Sequence, residues 1–209
     1  MDAGQTRVVL ISGRPAEEVR DLLAIRPAPE IWGVHGRQRL WPNGRCAWIP
    51  LKDSDQRALS EAVSWIESSG HETLAELKPG AVALHWRGLP KHEADAARVA
   101  IRAALDPIAT QARMSLLEFD GGIELRPAEP NKGAATLTLR GELPPESPFA
   151  YLGDDATDED TFVALHGTGA LTVLVRPQMR ATAADVWIRP PEELLAFLEA
   201  WAESCGGTG

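Results

Sequence analysis

Residues 149–165 read FAYLGDDATDEDTFVAL, and no other ten residues of the chain carry as much charge of one sign as 151–160. A short apolar run ends at Gly153. Asp154, Asp155, Asp158, Glu159 and Asp160 follow, and Phe162, Val163 and Leu165 then open a helical pattern. The chain must therefore fold so that a strand passes through carboxylates into a helix. Carboxylates repel one another, so such a cluster implies a hard cation, a helix N-terminus or a solvated turn. Thr157 or Asp158 could cap the helix. Taken alone, the stretch leaves cation site and helix cap level.

The flanking sequence supplies a context. Residues 7–11 are apolar and β-branched without alternation, as in a strand buried on both faces. A helix is expected over 15–25, with Val19, Leu22 and Leu23 on its apolar face and Pro15 in its first turn. A strand at 30–34 follows. From residue 37 the pattern changes. Helices are expected over 57–67 and 93–110. The stretch 81–87 alternates, with Val82, Leu84 and Trp86 on one side and His85 and Arg87 on the other. Strands at 115–119 and 123–126 form a hairpin around Asp120, Gly121 and Gly122, with Glu124 and Arg126 on its polar side. From Pro127 the open α/β pattern returns. Asn131 caps a helix that begins at Lys132. Strands are expected at 149–152, 171–175 and 185–188, a last helix at 191–203 and a frayed tail at 206–209. The architecture is a parallel-sheet domain interrupted by an α+β insert with one polar sheet face.

The totals exclude several roles. The chain has 209 residues and a net charge of −9, which argues against nucleic acid as the main partner. Hydrophobic content of 44% with 24% charged residues describes a folded protein rather than a disordered one. No run approaches membrane-span length and no leader pattern is present, so a cytoplasmic location without a membrane partner is expected. Cys46 and Cys205 are the only cysteines and belong to no metal or disulfide motif, which suits a reducing compartment. Neither has an arginine six residues on, and no G-x-S-x-G elbow occurs. The acidic turn also lacks the glycine and distant glutamate of an EF-hand loop. The sequence leaves the oligomeric state open.

Polar residues stand at three strand-to-helix junctions: Ser12 to Arg14, Asn131 with Lys132, and the acidic turn. Ligands of open parallel sheets bind at the carboxyl ends of strands. A hydroxyl and backbone N–H groups at a helix start can hold a phosphate, a lysine adds charge, and carboxylates add a metal. Singly, each has a plain alternative. Ser12 could cap its helix, Lys132 could be a surface lysine, and His35 and His85 could be hydrogen-bonded structural residues.

Together the segments VVLISGR (8–14), GVHG (33–36), ALHWR (83–87), IELRP (123–127), NKG (131–133) and GDDATDED (153–160) resemble, in order, a trehalose-phosphatase of the haloacid dehalogenase superfamily. The resemblance implies an α/β fold, a Rossmann-like haloacid dehalogenase core with an inserted α+β cap. The core is expected at 1–36 and 129–209, and the cap at 37–128. It also implies a Mg²⁺-dependent phosphomonoester hydrolase that converts trehalose 6-phosphate to trehalose. By position, Ser12 would bind the phosphoryl group and Lys132 would neutralise charge on phosphate and nucleophile. Asp154 would ligate magnesium, with Asp155 and Asp158 as supporting carboxylates. On the cap, Arg87 and Glu124 would contact sugar or phosphate, with His35 and His85 as further candidates. Arg14 would orient the core loop or reach the substrate.

Two departures qualify the resemblance. Gln38 stands where the family tends to have glutamate. The superfamily's D-x-D-x-T motif, which supplies the aspartyl nucleophile and the acid/base on the central strand, does not occur in the 209 residues. Residues 2–6 and 118–122 do not replace it, and 118–122 reads as the hairpin. The expectation is therefore a chain whose central first strand is missing. Either the start lies inside a longer gene or the gene is truncated. Such a chain is inactive alone, and an upstream D-x-D-x-T segment would restore it. The alternatives are a non-catalytic sugar-phosphate-binding or regulatory protein, and another sugar phosphatase of the superfamily.

Overall fold

A computed structural model describes residues 6–206. The chain divides into two units. One runs to Ala47 and resumes at Pro130, and the other is Trp48–Glu129.

The first unit opens with β1 (Val9–Ile11), α1 (Ala16–Leu23) and β2 (Glu30–Gly33). β1 and β2 are parallel, with Val9 opposite Glu30 and Ile11 opposite Trp32. Pro15 occupies the N-cap of α1, where its fixed φ suits the entry, and no side chain caps the helix. β3 (Gln38–Leu40) pairs antiparallel with β2, and β4 (Cys46–Trp48) lies beyond it. That pairing carries the first unit past residue 36, where the sequence pattern alone places the change. Arg39 reinforces it. Its guanidinium lies over Trp32 and Trp41, its Nε donates to the buried Glu30 at 2.8 Å, and its Nη1 meets Glu142 at 2.6 Å.

The second unit contains α2 (Asp53–Ser69), β5 (Ala75–Lys78), β6 (Ala81–His85), α3 (Lys91–Ala112), β7 (Met114–Phe119) and β8 (Gly122–Pro127). The strands form an antiparallel sheet in the order β5-β6-β8-β7. Strand side chains alternate between faces. Val82, Leu84, Ile123 and Leu125 therefore meet Ala62, Ile66, Ile101 and Leu105 of the two helices in one apolar core. The opposite face carries Glu76, Lys78, His85, Glu124 and Arg126, the polar face expected from the alternation.

The chain returns to the first unit with α4 (Lys132–Gly141), β9 (Ala150–Gly153), α5 (Glu159–Leu165), β10 (Leu171–Val175), β11 (Val186–Ile188) and α6 (Glu192–Gly206). Asn131 caps α4 by accepting from the Ala134 amide at 3.0 Å, as its sequence position implies. β9, β10 and β11 form a parallel sheet in the order β11-β10-β9. Among the described residues, the parallel strands thus make two sheets, and β1 pairs only with β2 and β9 only with β10. Ile11 and Phe149 pack into both neighbouring apolar clusters, one around Phe162 and Leu174, the other around Trp32 and Leu139. No helix among the described residues is long and apolar enough to cross a membrane. Of the tail expected to fray, 207–209 lies outside the described residues, as do residues 1–5.

Candidate functional site

β1 delivers Ser12 to the start of a tight loop. The Ser12 amide donates to the Trp32 carbonyl at 2.8 Å, the Val34 amide to the Arg14 carbonyl at 2.9 Å, and the His35 amide to the Ser12 carbonyl at 2.9 Å. The loops after β1 and β2 are thereby tied together. The Ser12 hydroxyl accepts from the Arg14 amide at 3.1 Å. It caps the loop and not α1, so its own proton remains available to an incoming acceptor. Val34 and His35 both adopt left-handed backbone (φ 51° and 54°), which turns the His35 ring over Gly13. A methyl group at Gly13 would lie 2.7 Å from that ring. The Arg14 side chain is exposed and pairs with Glu18 along α1.

Gln38 is fully buried. Its Oε1 accepts from the Ala16 amide at 2.7 Å, and its Nε2 donates to Glu17 at 2.5 Å. An orphan N–H of the first turn of α1 is thus satisfied from a distant strand. In the sequence Gln38 stands out only as a departure from the family's glutamate. The structure makes it the anchor of α1, with Glu17 explaining the amide: a second carboxylate there would repel the first.

The acidic turn is organised by Asp158. Its Oδ1 accepts from Lys132 Nζ at 2.8 Å and from the Tyr151 hydroxyl at 2.6 Å. Its Oδ2 accepts from the backbone amides of Asp154 and Asp155 at 3.0 and 2.9 Å. Asp155 in turn accepts from the Ala156 amide at 2.7 Å, closing a capping box with Asp158. Burial pushes the Asp158 carboxyl up, but Lys132, Tyr151 and the turn amide outweigh it, and the group stays below the ordinary aspartate range. Burial, and then the Asp158 charge, push the Tyr151 phenol above its ordinary value. The turn is thus capped, but at its own 3-10 segment 156–158 and by Asp155 with Asp158. Asp158 stands at the N-cap of α5 without a side-chain cap bond to it, so the expected cap of that helix by Thr157 or Asp158 is not what forms.

The Asp154 side chain is exposed at the carboxyl end of β9, and among the described residues no donor reaches it. Magnesium is commonly held by one or two carboxylates, with phosphate oxygens and waters completing the shell. Asp154 has the oxygen chemistry and the exposure for one such ligand. Asp158 does not, because four donors occupy its oxygens. Among the described residues no group of three metal-ligating side chains is gathered. Lys132, buried at the start of α4, has three N–H donors, of which Asp158 takes one. The loop after β2 closes on the same helix start, where a methyl group at Gly36 would lie 2.7 Å from the Asn131 carbonyl.

The remaining candidates lie in the second unit. Glu124 is buried and accepts from Lys78 at 2.7 Å; His85 meets Glu76 at 2.9 Å; Arg87 is exposed, and its Nη2 holds the Asp120 carbonyl and carboxylate at 2.7 and 2.8 Å. Glu124 and His85 share the polar sheet face, whereas Arg87 is spent on the hairpin turn. Lys78 and Glu76 belong to the same network but escaped the sequence reading. Their alternation with Leu77 was visible, but their face is fixed only by the pairing of β5 with β6.

A trehalose-phosphatase family model matches residues 2–185. Trehalose-6-phosphate phosphatase of Escherichia coli (strain K12) is 31% identical over 175 residues, covering 83% of this chain and 64% of that protein. The chain thus spans just under two thirds of the length of this relative. A solved structure described as a trehalose-6-phosphate phosphatase related protein superimposes with a TM-score of 0.66 at 26% identity, over 96% of this chain and 83% of that one. A haloacid dehalogenase-like hydrolase from Bacteroides thetaiotaomicron shares the fold with a TM-score of 0.67 at 13% identity, over 92% and 85% of the two chains.

Proposed function

The chain belongs to the trehalose-phosphatase family, and on that premise we propose that it serves the hydrolysis of trehalose 6-phosphate to trehalose and phosphate in the cytoplasm. The observation that carries the proposal is the buried Lys132–Asp158 pair with the Asp154 and Asp155 amides on its far side. It fixes an ammonium, a helix start and an exposed carboxylate at one strand end, the equipment a phosphoryl group needs.

In this reading Lys132 donates to the phosphoryl oxygens with the hydrogens that Asp158 leaves it. Ser12 donates its hydroxyl proton to another. Asp158 orients Lys132, and Asp155 stabilises the turn as a cap. Asp154 would hold Mg²⁺, which when bound supplies charge neutralisation at the phosphoryl oxygens. Glu124 and His85, with Lys78 beside them, offer acceptors and donors for sugar hydroxyls. Arg87 contacts substrate only by exchanging its Asp120 partner. His35 shapes the loop over Gly13, and Arg14 orients it through its carbonyl. We place the limits of the cap at the ends of the second unit.

The test is calorimetry of trehalose 6-phosphate with the 209-residue chain and Mg²⁺, alongside a phosphate-release assay. Binding is expected, and K132Q should weaken it at least tenfold. Absence of binding to a folded chain would remove the substrate assignment. No D-x-D-x-T segment occurs in the 209 residues. Accordingly no turnover above a metal-free blank is expected from this polypeptide alone, and measured turnover would overturn that.

A further inference from the structure

The segment between β10 and β11 holds the acidic turn from the side opposite Asp158. Arg176 Nη1 donates to the Asp154 carbonyl at 2.9 Å. Arg180 Nη2 donates to the Asp155 carbonyl at 2.9 Å, while its Nη1 pairs with the Glu159 carboxylate. Glu159 also accepts from the Ala183 amide at 2.8 Å, and the Arg176 carbonyl accepts from Trp187 Nε1 at 2.8 Å. Both arginines are therefore seated at their own ends. The peptide groups of Asp154 and Asp155 are gripped twice: their N–H groups by the Asp158 carboxylate, their carbonyls by a guanidinium each.

This arrangement has an unusual sign. Two cations beside a cation site should weaken it by simple Coulomb repulsion. Here neither guanidinium is bonded to the Asp154 or Asp155 carboxylate. Each is bonded to a main-chain carbonyl, which fixes the direction of the Cα–Cβ bond and leaves the Asp154 side chain uncovered. We propose that Arg176 and Arg180 are positioning residues that aim the Asp154 carboxylate as a divalent-cation ligand. The role rests on the reading of Asp154 given above. Arginine suits the Arg180 position because one planar fork spans the Asp155 carbonyl and Glu159 together, which a lysine cannot do.

The experiment uses the full 209-residue chain and the variants R176Q, R180Q, R180K and D154N. Two readouts are taken: amide exchange without metal, and Mn²⁺ affinity by calorimetry. In R180Q and R176Q the Asp154 and Asp155 amides should exchange faster, with amides of β10 and α3 unchanged. Mn²⁺ affinity should fall about two- to tenfold, the range that one net hydrogen bond is worth. R180K should fall between R180Q and the parent. Unchanged turn exchange, or affinity that rises when an arginine is removed, would overturn the proposal and leave the arginines as repelling charges only. D154N separates the two levels. If the parent takes up no Mn²⁺, or D154N binds it equally well, Asp154 is not a ligand and the aiming role falls with it. The exchange data alone still decide whether the arginines hold the turn.

Discussion

The carboxylates of Asp158 and Glu124 are both buried and both face a lysine, yet their surroundings differ. Around Asp158 the partner Lys132 is itself buried, and the other donors are a buried phenol and two main-chain amides. Around Glu124 the partner Lys78 is partly exposed and also lies 3.6 Å from Glu76, which His85 shares. The first network has one arrangement available to it. The second can exchange partners with little loss, because its outer members are already wet. A phosphoryl group has one shape and a fixed charge, and a rigid cradle suits it. Under the proposed function the sugar, with many hydroxyls in several orientations, would fall to the adaptable row of charges.

The strongest way to break the contrast is Asp158→Ala. It leaves a buried ammonium, a buried phenol and two turn amides without their acceptor. Removing one partner of a buried pair costs about 3–5 kcal/mol, so urea unfolding should show a loss of that size. A loss under about 1 kcal/mol would mean that the turn re-forms around water.

Gln38→Ala tests whether the first unit depends on such rigid acceptors away from the turn. It strands the Ala16 amide, and a loss of about 1–3 kcal/mol is expected, read by the same denaturation. Glu124→Gln should cost less, about 1 kcal/mol, because Lys78 can turn to Glu76 and solvent. If it matched Asp158→Ala, the two networks would be equally rigid and the contrast would fail.

The smallest effect is in acid. Arg39 and Arg7 hold the Glu142 carboxyl down at about 2, against an ordinary 4.5. A lowered carboxyl stabilises the fold above its unfolded value and loses that contribution as pH falls through the folded one. Stability should therefore decline as pH drops from about 4.5 towards 2. Glu142→Gln should flatten that limb in acid titrations followed by circular dichroism, and an unchanged limb would assign the decline to other carboxylates such as Asp158.

Much of this was legible in the sequence because it is local. The alternation of 81–87 gave the apolar and polar faces of β6. The unbroken run before Ser12 gave a strand in a parallel pair, but not one buried on both faces: β1 is half-buried at the sheet edge and Val8 is exposed. The glycine, carboxylates and helix pattern after residue 152 gave the strand-to-helix junction. What stayed hidden depends on long-range pairing. Gln38 satisfies Ala16 from another strand, and Arg176 and Arg180 reach the turn from the segment that follows the neighbouring strand β10. No periodicity records such contacts. Ser12 illustrates a subtler limit: a hydroxyl before a helix suggests a cap, but Pro15 takes the cap position and the hydroxyl serves the loop.

One glycine carries a consequence for how this chain could vary. At Gly153 an added methyl group would sit 2.5 Å from the Asp158 carboxyl carbon. The last residue of β9 and the acceptor at the centre of the turn occupy almost the same space, and only a missing side chain lets both exist. At Gly141, by contrast, an added methyl group meets nothing within 4 Å. A library randomised at both positions and selected for folded protein should return many residues at 141 and glycine alone at 153, so that a gap in the chain's chemistry, rather than any group it possesses, would be its least replaceable part.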